Sequence, residues 1–338
     1  MKKIMLLVTM VCLEVACGQS YKVSKKINIA GDEGWDYLSV DNANQNLFVS
    51  HGSVVNVIDL KTDQTIATIQ DAKGVHGIAI ANDLNKAFIS CGKDNTVSVI
   101  NLKTFELIEK IKIEGQKPDA ILYDQFSHYV LTYNAKSSDA TVIDANTNKV
   151  VKTIPLGGKP EFSVTNTKGL IYVNIEDKNE IKTIDTKTLE VMNTWSISPG
   201  DEPSGLALDI QNNILFSVCS NKTMVIVDAT TGKIIQIVPI GDGCDGVAFD
   251  AKKKMIFSSN GEGSITAVKE ESNKKFTVVE TINTQKGART IAINPTTSQL
   301  YLSTAAFGAK PEPTTEKPKP RAGLVPNSFT VLVVENSK

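Results

Sequence analysis

Seven polar residues stand at matching points of a pattern that recurs along the chain: Asp36, His76, Asp119, Glu161, Ser204, Asp245 and Arg289. Each sits where a short apolar run begins, as in Val75-His-Gly-Ile-Ala-Ile80. Fifteen residues further along each repeat is a second set: His51, Cys91, Asn134, Glu176, Cys219, Asn260 and Thr304. Four carboxylates in one ring would raise one another's pKa or recruit a cation. Asp36, His51, His76 and Cys91 combine ligand types suited to a transition metal, so a divalent metal is the cofactor this set would take. Arg289 is the one cation of the ring and could clamp a carboxylate or phosphate in a bidentate manner. A water-filled channel also needs polar walls, so the same residues fit passive lining, ligand binding or catalysis. No residue is singled out as catalytic.

These residues can meet only if the repeats close on themselves. The stretch from Gly74 to Ile113 shows the unit: four short β-branched or aromatic runs, several alternating apolar and polar. Turn formers separate them at Ala81-Asn82-Asp83, Gly92-Lys93-Asp94-Asn95 and Lys103-Thr104. The third run of each unit closes at Asp59, Asn101, Asp144, Asp185, Asp228, Lys269 and Glu335, in steps of 42, 43, 41, 43, 41 and 66 residues. Four strands per period of about 40–45 residues mark a propeller blade, which needs neighbours to bury its faces. The expected fold is therefore all-β, a seven-bladed β-propeller of four-stranded blades. Tyr21 to Ile29 is a strand with no blade before it, and the last unit lacks a fourth strand. Pairing the two closes the ring and removes a free sheet edge. Both polar sets are then expected around one mouth of the central channel, where pockets form in closed β architectures.

With Pro118, Pro160 and Pro203 opening first strands and Thr141-Val-Ile-Asp144 closing a third, the chain resembles the YVTN/YncE-family β-propellers over residues 25–338. The strings Val49-Ser-His-Gly52, Gly74-Val-His-Gly77, Gly157-Gly-Lys-Pro-Glu161, Glu202-Pro-Ser-Gly205, Ser258-Ser-Asn-Gly-Glu262 and Arg321 to Val334 are similar to exported bacterial members. The resemblance implies the propeller but no one activity, because propellers host many unrelated functions.

The first residues are expected to be a signal peptide spanning 1–18. Lys2-Lys3 precedes an apolar core from Ile4 to Leu13, too short to span a bilayer. Ala16-Cys17-Gly18 suits an ordinary cut, while Val15-Ala16-Cys17 resembles the end of a lipobox in which Glu14 replaces the usual apolar residue. Export to the periplasm, free or as an outer-membrane-anchored lipoprotein, follows, with residues 19–338 as a single domain. The charge balance, 36 Lys+Arg against 37 Asp+Glu, gives no general attraction to nucleic acid or an anionic membrane. No Gly-x-Ser-x-Gly, Walker-type loop, Gly-x-Gly-x-x-Gly or His-Glu-x-x-His occurs. Cys91, Cys219 and Cys244 read as small buried residues, though an oxidising compartment would permit a Cys219–Cys244 disulfide. The Pro-rich insertion 305–327 joins second and third strands of the last blade, and is expected at the mouth as a lid or docking arm.

The sequence thus supports a monomeric exported binding or scaffold protein whose mouth takes an unknown small ligand or protein partner. A metal-dependent, lactonase-like hydrolase or a redox-associated enzyme using the same mouth is the alternative.

Overall fold

The computed structural model describes residues 20–271, 274–312, 314, 320 and 322–337. The leader with Cys17 and most of the tip of the insertion lie outside the described residues. Among those described, 28 strands, numbered β1–β28 along the chain, form seven antiparallel four-stranded sheets. Six sheets are consecutive meanders, and the seventh pairs β1 (Ser20–Asn28) with β28 (Thr330–Ser337) at its outer edge. The expected seven-bladed propeller closed by the N-terminal strand is thus the fold found. Blade 7 is less regular than the repeat suggests: only Ala292–Ile293 pair as its first strand.

The core lies between blades. Second and third strands have both faces covered, so Leu47, Phe48 and Val49 are wholly buried, as are Phe88, Ile89, Val97 and Val99. Fourth strands form the outer edges and are mostly exposed, which leaves Leu107, Val151 and Met192 open to solvent. The polar residue that ends most third strands has a local role. The carboxylates of Asp59, Asp144, Asp185 and Asp228 accept the N–H groups two and three residues on, and the Asn101 amide oxygen does the same. Such side-chain turns fix the hairpin register without help from the rest of the fold.

Two irregularities recur in the ladders. Between third and fourth strands the register shifts at Val57/Ile58, Val99/Ile100, Val142/Ile143, Thr183/Ile184, Ile226/Val227 and Ala267/Val268. A bulge there twists each outer edge and makes it a poor template for a foreign strand. The other shift falls at the start of the first strands, and it builds the site.

Candidate functional site

The first strands of blades 1–6 are β2 (Trp35–Asp41), β6 (Val75–Ala81), β10 (Pro118–Asp124), β14 (Pro160–Thr165), β18 (Pro203–Asp209) and β22 (Cys244–Asp250). In each, the opening residue pairs with the second strand, pairing then lapses, and it resumes two or three residues later. Asp36, His76, Asp119, Glu161, Ser204 and Asp245 all fall in that lapse. A bulge re-aims the side chain it releases. These six, with Arg289 ahead of the short β26 (Ala292–Ile293), line one cavity of about 260 Å³.

The wall hydrogen-bonds the ring into place. Ser50 accepts the Asp36 N–H at 2.8 Å, and Ser90 accepts that of Gly77 at 2.9 Å. Ser90 also donates to the Asp119 carbonyl of the next blade. Ser259 donates to the Arg289 carbonyl, Asn174 to that of Ser204, and Thr290 to that of Asp36. Blades 2, 4, 6 and 7 thus each hold the ring residue of the next blade by its carbonyl.

Charge is distributed unevenly around this belt. His76 Nδ1 lies 2.6 Å from Asp36 and 3.3 Å from Asp119. Asp36, His76 and Asp119 can each place one ligand atom within 4.8 Å of the other two, close enough to share a metal ion. The other carboxylates are closed more tightly. Arg289 Nε is 2.7 Å from Asp245, and Lys159 bridges Glu161, at 2.7 Å, and Glu176. By contrast, Arg289 stands 3.8 Å from Asp36 and Lys117 stands 3.6 Å from Asp119.

Burial pushes the carboxyls up. Desolvation raises Asp245 to about 6 despite the Arg289 guanidinium. Desolvation, then the charge of Asp119, lifts Glu161 to about 8, although Lys159 opposes it. Asp119 is raised by burial, against the pull of His76. Burial disfavours the charged form of His76, but its bond to Asp36 and the charge of Asp119 outweigh that and raise its pKa. Near neutral pH the cavity thus holds protons that a cation could replace. Tyr37 closes the floor, its ring 5.2 Å from that of Phe162 across the channel, and burial among the carboxylates keeps its hydroxyl protonated.

The second polar set divides. Glu176 reaches the cavity through Lys159. His51 and Cys91, expected among the metal ligands, do not join the cluster, and Asp119 stands where they were expected. Both close a regularly paired second strand, so no bulge turns them inward. The His51 ring stacks on Phe329 at 4.1 Å instead, and the buried Cys91 thiol faces Ser98. Asn134 and Asn260 brace hairpins, the first through Asp139 and Thr141, the second through Ser264 and Thr266. Thr304 bonds the Lys286 carbonyl. Cys219 and Cys244 are buried free thiols, the latter donating to the Cys219 carbonyl at 3.0 Å. The insertion leaves blade 7 as a paired stem: Phe307 bridges Leu324, and its ring lies 6.2 Å from that of Trp35, beside the mouth.

Lys117, Lys159 and Tyr37 were not anticipated at the mouth. The repeated Lys-Pro-acid of Lys117-Pro-Asp119 and Lys159-Pro-Glu161 was the available signal, since it sets each lysine beside its ring carboxylate.

No protein-family model and no curated protein matches this chain. Among solved structures it is similar to a chain of Kuenenia stuttgartiensis hydrazine synthase, at 15% identity over 81% of this chain and 94% of that one, with a TM-score of 0.71. It is also similar to the RRP9 WD40 repeats, at 7% identity over 94% and 100%, with a TM-score of 0.77. At these identities the likeness shows the fold alone: this chain is a WD40-like seven-bladed β-propeller.

Proposed function

We propose that this protein is an exported propeller of the YVTN/YncE type that binds a small cation, foremost a divalent metal ion, at the mouth ringed by Asp36 to Arg289. One observation carries the reading: Asp36, His76 and Asp119 converge within 4.8 Å at the arc of the mouth where the nearest basic groups, Lys117 and Arg289, stand off at 3.6 and 3.8 Å. Two carboxylates and an imidazole suit Mn²⁺ or Zn²⁺. Export rests on the leader residues Lys2-Lys3 and Ile4 to Leu13. Calorimetric titration of the metal-stripped protein with Mn²⁺ and Zn²⁺ tests the binding claim. Saturable uptake is expected, with affinity at least tenfold lower for Asp119→Asn. Uptake that Asp119→Asn leaves unchanged would refute it.

The same three residues support a second reading, a metal-dependent hydrolase of the lactonase type. A metal held there would polarise a carbonyl or activate water, and Glu161, held near neutrality, is placed to exchange a proton. Metal-dependent lactone hydrolysis lost in Glu161→Gln, with metal uptake retained, would select this reading over simple binding.

A further inference from the structure

Resting on the metal site proposed above, we infer that the loaded mouth takes a short dicarboxylate, coordinated to the ion and held at its two ends by Lys117 and Arg289. Each carboxylate of the triad turns one oxygen to His76 and the other to a cation. Asp36 Oδ2 lies 2.6 Å from the imidazole, and its Oδ1 stands 3.8 Å from Arg289 Nη2. Asp119 Oδ1 lies 3.3 Å from the same nitrogen, and its Oδ2 stands 3.6 Å from Lys117 Nζ. A cation thus flanks the triad at each outer side, and both line the cavity. Neither is hydrogen-bonded to the triad at these separations. Their side chains, Lys117 50% and Arg289 44% exposed, are open to a guest. Arg289 meets Asp245 through Nε at 2.7 Å, but its guanidinium carries more donors than one carboxylate takes. Lys159, also in the wall, is held instead by Glu161 and Glu176.

Three protein ligands leave open positions on an ion that favours octahedral coordination, as Mn²⁺ does. Charge then selects what fills them. With His76 neutral as a ligand and Glu161 protonated at neutral pH, Asp36, Asp119, Asp245 and Glu176 face Lys117, Lys159, Arg289 and the divalent ion. The loaded mouth is therefore net positive, and an ionised Glu161 would bring it only to neutrality. A single carboxylate could meet one flank. Two on a short spacer meet both, and the planar fork of Arg289 matches a carboxylate. The cavity, about 260 Å³, is smaller than most ligand pockets and keeps the guest short.

Malonate and malonamide, alike in shape, separate charge from fit. Each is titrated by calorimetry into the full chain loaded with Mn²⁺, whose retention is followed by electron paramagnetic resonance, and into the metal-free chain. Malonate is expected to bind the loaded chain roughly tenfold or more tighter than malonamide does, and to bind the metal-free chain far more weakly. Lys117→Gln removes one flank, and Arg289→Lys keeps a cation for Asp245 while losing the fork. Each should weaken malonate on the loaded chain roughly tenfold or more, the worth of a hydrogen bond to a charged group. A chain that takes up no Mn²⁺ would overturn the metal reading and this inference with it. A loaded chain that ignores malonate, binds malonamide as tightly, or yields its Mn²⁺ to malonate would overturn this inference alone. Equal malonate binding with and without metal, or in either variant and wild type, would do the same.

Discussion

Glu161 is the mouth residue at which burial most clearly defeats charge. Its folded pKa, near 8, lies above the ordinary value of 4.5, so the folded protein holds this proton more tightly than the unfolded chain. The stability this gives is complete below pH 4.5 and is lost as pH rises through about 8. Glu161→Gln imitates the protonated form and leaves Lys159 with Glu176. Urea unfolding should show the variant more stable than wild type at pH 9 by more than about 1.4 kcal/mol, the worth of one pKa unit, and closer to it at pH 5. Parallel pH profiles for the two proteins would show that Glu161 is ionised throughout. The ring was legible in the sequence because one residue per repeat holds the same place ahead of an apolar run. His51 and Cys91 were misplaced because spacing counts residues and does not reveal which fall in a bulge. Their partners come from other segments, Phe329 from just ahead of β28 and Ser98 from the third strand of blade 2.

At the scale of the element, the inter-blade hydroxyls turn separate sheets into a rigid mouth. Ser90 is wholly buried and serves both the Gly77 N–H and the Asp119 carbonyl. Ser90→Ala leaves both without that partner and should cost about 1–3 kcal/mol in chemical unfolding, and it should also weaken metal uptake. A loss of stability with full metal affinity would mean that the ring does not depend on this bond. The blades also approach closely at Gly205, where an added Cβ would lie 2.9 Å from Gly246 Cα and from Val247 N. Both contacts are backbone, so Gly205→Ala should lower stability by about 1–3 kcal/mol, read from the denaturation midpoint. A neutral substitution would show that blades 5 and 6 can part without penalty. Strands were readable from alternation and turns. The short β26 was not: Thr290 spends its hydroxyl on the Asp36 carbonyl, a contact between the two ends of the ring.

For the molecule as a whole, closure rests on β1. Tyr21 and Ile27 are buried, and the Tyr21 N–H donates to the Glu280 carboxylate of blade 6, so the strand ties blade 7 to its neighbour. Removing residues 20–28 strips those contacts and bares β28. Burial of two large side chains is worth about 3–6 kcal/mol, which corresponds to a fall in Tm of about 4–8 °C for a chain of this length. Calorimetry with size-exclusion chromatography checks this: a truncated chain that stays monomeric with an unchanged Tm would show the ring holds without its closing strand. Closure was legible because a spare strand at one end matched a missing one at the other. Function was less so, since charge pairing around the mouth depends on lysines two residues ahead of the ring positions. The most direct test is metal analysis by mass spectrometry of the purified chain and of Asp36→Ala/His76→Ala, each dialysed against micromolar Mn²⁺ and Zn²⁺. Binding at the mouth predicts roughly one ion per wild-type chain and almost none in a folded variant; a metal-free wild type, or equal metal in both, would contradict it.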